Sequence, residues 1–295
     1  MSSPNKQPKR RPGPFLICCL LLALLTFLFV GGNLFIIIFR GLKSLPASLG
    51  QAETLFAVGL SVRSACISTL LCFLLALPTA WLLTRPELPM RGAVEVILEL
   101  TMSLPYIVLG LSLLILFSSP FGKALKAAGF PVVFSRNGII LSQLMVNLPF
   151  AIKLCATALR GVDGKLERVA GLLGASPGRR FFTVLLPCCR NSLISAVILV
   201  WARALGEFGA TLMLVGVTRM KTETLPGSIY LNVSTNDLNA ALASAFILLL
   251  LTAVSLVVDA VFRRLGPLRQ TQRSPEGPRH LHRIPRFSEA PWEAP

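Results

Sequence analysis

The sequence predicts an all-α polytopic membrane protein with about six transmembrane helices, and three observations carry that reading. Apolar residues make up 54% of the 295-residue chain, only 14% are charged, and mean hydropathy is +0.70. Ordinary soluble domains are about a quarter charged, so this balance excludes them. Six stretches also supply the ~20 apolar residues needed to cross ~30 Å of hydrocarbon at ~1.5 Å per helical residue. None alternates in the manner of a barrel strand, so helices must satisfy the backbone in lipid.

The first stretch, Phe15–Phe39, follows a basic segment, 1–14, that imitates the start of a secretory signal. Its apolar run of about 25 residues is too long for a signal's core, and no small-x-small cleavage site closes it. It reads as a retained helix followed by an outer loop, together 15–54. The other five spans are Leu60–Leu83, Ala93–Phe117, Ile139–Leu159, Ser192–Val215 and Ala240–Phe262. Pro78, Pro105 and Pro149 fall inside three of them, where a missing N–H and a ring clash bend the helix. Such bends are either tolerated kinks or a means of splaying helices around a central path. The stretch 263–295 loses all periodicity and reads as a disordered basic cytoplasmic tail.

Lys and Arg fix the expected orientation. With both termini in the cytoplasm, the inner segments hold 19 of them and the outer loops seven; Arg63, Lys153 and Arg203 lie within spans. Topology and contact with anionic lipid headgroups then explain the net charge of +16, and no nucleic-acid partner is expected because no binding module accompanies the charge. Seven cysteines lie in or beside spans without metal-ligand spacing, so they read as small apolar fillers and no metal site is expected.

The cytoplasmic loop 160–190 contains LERVAGLLGASPGRRFFTVLLP from Leu166 to Pro187. Leu166, Val169, Ala170, Leu173 and Gly174 recur at helical spacing, which makes a short amphipathic helix. Gly174 permits a turn or a close backbone approach, and Pro187 suits the start of the next helix. Such a helix either lies on the headgroups or docks against a partner. The fifth span carries WARALGEFGATLMLVG from Trp201 to Gly216. Gly206, Gly209 and Ala210 remove bulk there and allow close helix approach or passage of a solute. Arg203 and Glu207 stand four apart, so they can pair within one helix. That pair either locks the packing, or Arg203 offers positive potential to an anion while Glu207 holds it.

These residues carry a family resemblance. The chain resembles the permease subunits of type I ATP-binding-cassette importers, whose cytoplasmic loop has the pattern EAA-x3-G-x9-I-x-LP. Ala170, Gly174, Val184, Leu186 and Pro187 match that spacing, while Arg168 stands at the motif's Glu, Val169 at its first Ala and Val184 at its Ile. Glu167 supplies an acid one position early. The resemblance implies that Leu166, Glu167, Arg168, Ala170, Gly174, Ala175 and Ser176 couple the chain to an ATPase. A narrower likeness to molybdate permeases, with sulfate and tungstate permeases as near relatives, rests on Arg203–Thr211, on Thr224-Leu225-Pro226 with Ile229-Tyr230, and on Ser103-Leu104-Pro105 with Val108-Leu109-Gly110. It implies a transmembrane importer domain over 55–262, with Arg203, Gly206, Glu207, Gly209, Ala210 and Thr211 at the translocation path or gate.

No phosphate-binding GxxxxGK motif is present: Leu159 stands where the first Gly before Gly164-Lys165 is required. The chain is therefore expected to hold no cofactor, with ATP and Mg²⁺ on a separate ATPase. The expected partners are a second permease copy forming a homodimer, two cytoplasmic ATPases and an extracytoplasmic oxyanion-binding protein. The expected cargo is molybdate, with sulfate, thiosulfate or tungstate as alternatives. A secondary transporter would use paired repeats and broken helices at mid-membrane, and no repeat is visible between the halves.

Overall fold

The computed structural model describes residues 13–85 and 89–265, and every regular element among them is helical. The segment 1–12 and the stretch 266–295, with both histidines, lie outside the described residues; of the tail expected over 263–295, residues 263–265 are described and continue the last helix. In chain order the helices are α1 (Pro14–Leu49), α2 (Ala52–Leu83), α3 (Arg91–Ser103), α4 (Tyr106–Ser118), α5 (Pro120–Ala127), α6 (Arg136–Arg160), α7 (Gly164–Leu172), α8 (Pro177–Arg180), α9 (Leu186–Leu205), α10 (Gly209–Val215), α11 (Leu225–Ser234) and α12 (Leu238–Leu265). A π-helical turn, Phe181–Leu185, joins α8 to α9.

Five helical rods are long and apolar enough to cross a membrane: α1, α2, α6, α12 and the run Pro177–Leu205. α3 and α4 together have the length and hydropathy of a sixth crossing, broken by a bend of 107°. A continuous third span with a kink at Pro105 was expected. Instead Leu104 is extended at ψ 141° and Pro105 stands at the N-cap of α4. The proline ring bars the preceding residue from helical geometry, so the chain stops and restarts there. Pro78 and Pro149, by contrast, stay inside the unbroken helices α2 and α6.

Two further expectations are corrected. Only Gly50 and Gln51 separate α1 from α2, where an outer loop over 40–54 was expected. Residues 40–49 are helical instead, with Leu45 packed against the cluster of Ala57, Leu225 and Ile247 and Gly41 closely facing Phe246 of α12. The fifth span is also broken: α9 ends at Leu205 and the helix resumes at Gly209. Pro187 does open α9, and the π turn lies directly before it. A proline ring clashes with the carbonyl four residues back, here that of Thr183 inside the π turn, whose wider winding relieves the clash.

Packing follows from small residues. Ala57, Ser61, Ala65, Ser68, Cys72, Ala76 and Ala80 form one buried stripe along α2. Lipid gives helices no hydrophobic reason to associate, so close van der Waals approach along such stripes must hold them. Cys72, Ala76 and Ala80 join Ala151, Ile152, Cys155 and Leu159 of α6 and Leu193, Ala196 and Val200 of α9 in the main core. Gln143 of α6 stitches three helices: its Nε2 donates to Ser64 Oγ at 3.2 Å and to the Ala204 carbonyl at 3.0 Å. Large apolar side chains such as Leu70, Leu74 and Leu82 point outward.

Candidate functional site

The loop helix α7 is fixed at both ends by its own residues. Asp163 accepts from the Lys165 N–H at 2.9 Å and caps the start. At the other end Gly174 has φ +84°, the Ala175 N–H reaches the Ala170 carbonyl at 3.0 Å, and the Gly174 N–H reaches the Gly171 carbonyl at 3.0 Å. Those two bonds define a Schellman stop, which calls for a left-handed residue at the position Gly174 occupies. Nothing lies within 4 Å of a Cβ built on Gly174, so a turn and not a close approach within the chain explains it. Ser176 starts the next element by accepting from the Arg179 N–H at 3.4 Å.

Glu167 turns inward, toward Arg85 at 2.6 Å and Arg180 at 4.0 Å. Arg85 in turn lies 4.6 Å over the Trp81 ring at the end of α2. The remaining apolar residues are bare: Leu166 and Val169 are exposed, Leu172 is 88% exposed and Leu173 83%. Arg168 is exposed and Ala170 half-buried. The amphipathic helix thus turns its apolar residues away from the rest of the chain.

The second region forms where the two broken crossings meet. A Cβ on Gly110 of α4 would stand 2.6 Å from the Ala210 carbonyl oxygen and 2.7 Å from its Cα, so α4 and α10 touch backbone to backbone. Gly209 faces Tyr106 at the start of α4. Here the expected ion pair within one helix does not form. Glu207 is 4% exposed and accepts from the Ala210 N–H at 2.8 Å, capping α10. Restarting a helix leaves N–H groups without partners, and a carboxylate beside them satisfies one. Arg203 points elsewhere: it donates to the Tyr106 hydroxyl and lies 5.4 Å from the Tyr106 ring centroid and 4.9 Å from that of Phe150. Its Nε is buried and has no acceptor among the described residues.

The six residues expected at a path or gate therefore divide. Arg203, Gly206 and Gly209 remain partly or fully accessible. Glu207, Ala210 and Thr211 are buried, with the Thr211 and Ser142 hydroxyls 2.8 Å apart. Sequence reasoning missed Tyr106 and Phe150, which reach Arg203 only through the fold. It also missed a ladder between α3 and α6, where Glu95 pairs with Arg91 and Arg160 and Glu99 pairs with Lys153, each at 3.1 Å. The i, i+4 spacing of Glu95 and Glu99, flanked by apolar residues, was the available signal. No group of three or more His, Cys, Asp or Glu side chains among the described residues could hold a metal ion.

Comparison with known proteins gives this geometry its setting. The family described as "Binding-protein-dependent transport system inner membrane component" matches residues 73–270. The molybdenum transport system permease protein ModB of Mycobacterium tuberculosis is 39% identical over 210 residues, 70% of this chain and 78% of that protein. ModB of Escherichia coli K12 is 32% identical over 214 residues, 71% of this chain and 93% of that protein. The sulfate transport system permease protein CysW of Synechocystis is 30% identical over 227 residues, 76% and 82% of the two chains. Among solved structures, a bacterial alginate ABC transporter in complex with its periplasmic protein aligns with a TM-score of 0.65 at 17% identity, over 86% of this chain and 94% of that one. The MetNI methionine ABC transporter aligns with a TM-score of 0.56 at 18% identity, over 70% and 94%. At such identities the likeness is one of fold.

Proposed function

The chain belongs to the family of binding-protein-dependent transport system inner membrane components, and from that premise we propose that it carries a tetrahedral oxyanion, molybdate before sulfate or tungstate, by alternating access. Membership makes it a multi-pass inner-membrane permease subunit of an ABC importer, a family whose members work with a separate ATPase and a substrate-binding protein. The observation that carries the cargo is the 39% identity to a molybdenum permease, against 30% to a sulfate permease. The sulfate permease is close enough to make sulfate the second reading.

In this reading two copies pair about a two-fold axis, because one set of six crossings is a thin wall for a path. Both termini lie in the cytoplasm, with loop 160–190 on the same side. The bare Leu166, Val169, Leu172 and Leu173 dock on the ATPase, which binds ATP and Mg²⁺, and Gly174 lets α7 end where the docked surfaces meet. Nucleotide-driven closure pushes on α7, and Arg85 with Trp81 passes the push to α2 through Glu167. At the other region Arg203, held between Tyr106 and Phe150, gives positive potential to an anion beside the exposed Gly206. The extracytoplasmic binding protein does most of the discrimination among ions.

Proteoliposomes holding the permease, its ATPase and the binding protein test this directly. ATP-dependent molybdate uptake is expected, and exchange for a sulfate-specific binding protein that still docks should shift the transported ion. Unchanged molybdate preference after the exchange places the filter inside this chain. Uptake driven by an ion gradient without ATP would overturn the reading.

A further inference from the structure

Away from both regions, a cavity of about 400 Å³ opens in the groove between α2 and α6, at the end of the bundle opposite α7. Arg63 and Ser64 of α2 and Arg136 and Asn137 of α6 line it, with Phe56 and Ile140 as apolar walls. Arg63 sits about three turns inside α2, in a stretch otherwise apolar enough to span. An unpaired cation at such depth is costly and marks a functional position by default. Arg63 is exposed, lines the cavity and makes no hydrogen bond or ion pair among the described residues.

The neighbouring groups narrow what the groove can bind. Arg136 is already positioned: its Nε donates to the Lys221 carbonyl at 3.3 Å and its guanidinium lies 5.3 Å over the Phe56 ring. Its two Nη groups make no hydrogen bond or ion pair among the described residues, and the residue lines the cavity. Ser64 is committed, donating to the Ser61 carbonyl at 3.1 Å and accepting from Gln143 at 3.2 Å. Asn137 gives its amide N–H to the Pro131 carbonyl at 3.0 Å. No carboxylate lines the cavity. Two guanidiniums that face one space without a counter-ion repel each other until an anion enters, and planar guanidiniums suit the paired oxygens of a tetrahedral oxyanion.

We propose that the α2–α6 groove is a tetrahedral-oxyanion site held by Arg63 and Arg136. Two sources supply that chemistry, a free oxyanion and the phosphate of an anionic lipid headgroup. Only the identity of the free ion rests on the proposed cargo.

Modification of Arg63 by phenylglyoxal, read by peptide mass spectrometry on the purified permease–ATPase complex, tests the site without any variant. Molybdate, sulfate and inorganic phosphate are the probes in neutral detergent, and phosphatidylglycerol and phosphatidylcholine vesicles are the lipid arms. With the probe at about ten times its Kd, occupancy should slow modification about tenfold. Protection by free ions in detergent assigns the site to a free oxyanion; protection confined to phosphatidylglycerol assigns it to lipid phosphate. Arg136→Gln should raise the ion concentration that half-protects Arg63 about tenfold, and in Arg63→Lys, read at Arg136 because phenylglyoxal labels no lysine, the ion should protect more weakly, because the charge stays while the paired donors go. Equal modification rates under every condition overturn the proposal. So does full protection in neutral detergent without an added anion, which means that another group of the complex already covers Arg63. Loss of molybdate preference in uptake, with protection by sulfate or phosphate intact, sinks the cargo reading and leaves this site standing.

Discussion

Glu167 lies 2.6 Å from Arg85, just past the end of α2, whereas the carboxylate of Glu207, only four residues from Arg203, accepts from the Ala210 N–H. Both acids stand near arginines in the sequence, and only one makes an ion pair. The difference lies in what the surrounding backbone needs. At α7, Asp163 and the Schellman stop already satisfy the helix ends, and water serves the rest. The Glu167 side chain is therefore free to reach an arginine. At the α9–α10 break no water-exposed alternative exists for the buried N–H of Ala210, so the nearby carboxylate is drawn to it. Arg203, released from Glu207, takes aromatic faces and a phenol instead.

The largest test of the comparison is Gly174→Glu. A side chain at φ +84° costs about 1–2 kcal/mol of backbone strain, and open space surrounds the position. The variant should insert and fold, yet lose ATP-dependent uptake because bulk and charge stand on the docking side of α7. Gly174→Asn, which tolerates the left-handed region, should keep most uptake. Normal transport by the Glu variant, with the ATPase still bound, would remove this loop from coupling.

Glu207→Ala comes next. It strips the acceptor from a buried N–H, at a cost of about 1–3 kcal/mol, so folded yield in detergent should fall severalfold. Glu207→Gln keeps a carbonyl oxygen in place and should restore most of the yield. Equal failure of both variants would mean that negative charge, not capping, is what the site requires.

How much of this was readable in advance follows the same division. The crossings were legible because length and hydropathy are properties of continuous segments. The α7 stop was half legible: Ala170 and Gly174 stand four apart because one supplies the carbonyl and the other the left-handed turn of a single Schellman motif. The breaks at Pro105 and at residues 206–208 were not, since neither Pro nor Gly within an apolar run says whether neighbours will support a kink or a stop. Here Gly110 lets α4 meet α10, and that contact between residues a hundred apart in sequence stabilises both short helices. The spacing of Arg203 and Glu207 suggested a pair only on the assumption of an unbroken helix. Tyr106 and Phe150 reach Arg203 from two other elements, which no local pattern records.

A smaller effect separates the partners of Arg203. In a double-mutant cycle, Arg203→Met with Tyr106→Phe should show a coupling above about 0.5 kcal/mol, as groups in contact do. Arg203→Met with Glu207→Gln should be additive within about 0.3–0.5 kcal/mol, because their side chains serve different partners. Folded fraction in a denaturant titration in detergent reads both. Strong coupling of Arg203 to Glu207 would restore the ion pair.

The smallest effect belongs to Glu167→Gln. Its pair with Arg85 is partly exposed, so screening holds its contribution to about 0.2–1 kcal/mol, and the two capped ends keep α7 helical without it. Folding should not change. What the variant loses is the one ionic tie between α7 and the end of α2, so a push on α7 reaches α2 less completely. The sensitive readout is therefore the number of ions transported per ATP hydrolysed, which should fall while hydrolysis continues. Arg85→Lys should act in the same direction, since an ammonium can keep the charge but not the flat stacking on Trp81. If the transport ratio is untouched in both variants, the packing of α8 and the π turn against α7 carries the motion, and the inward turn of Glu167 only keeps a carboxylate away from the docking surface.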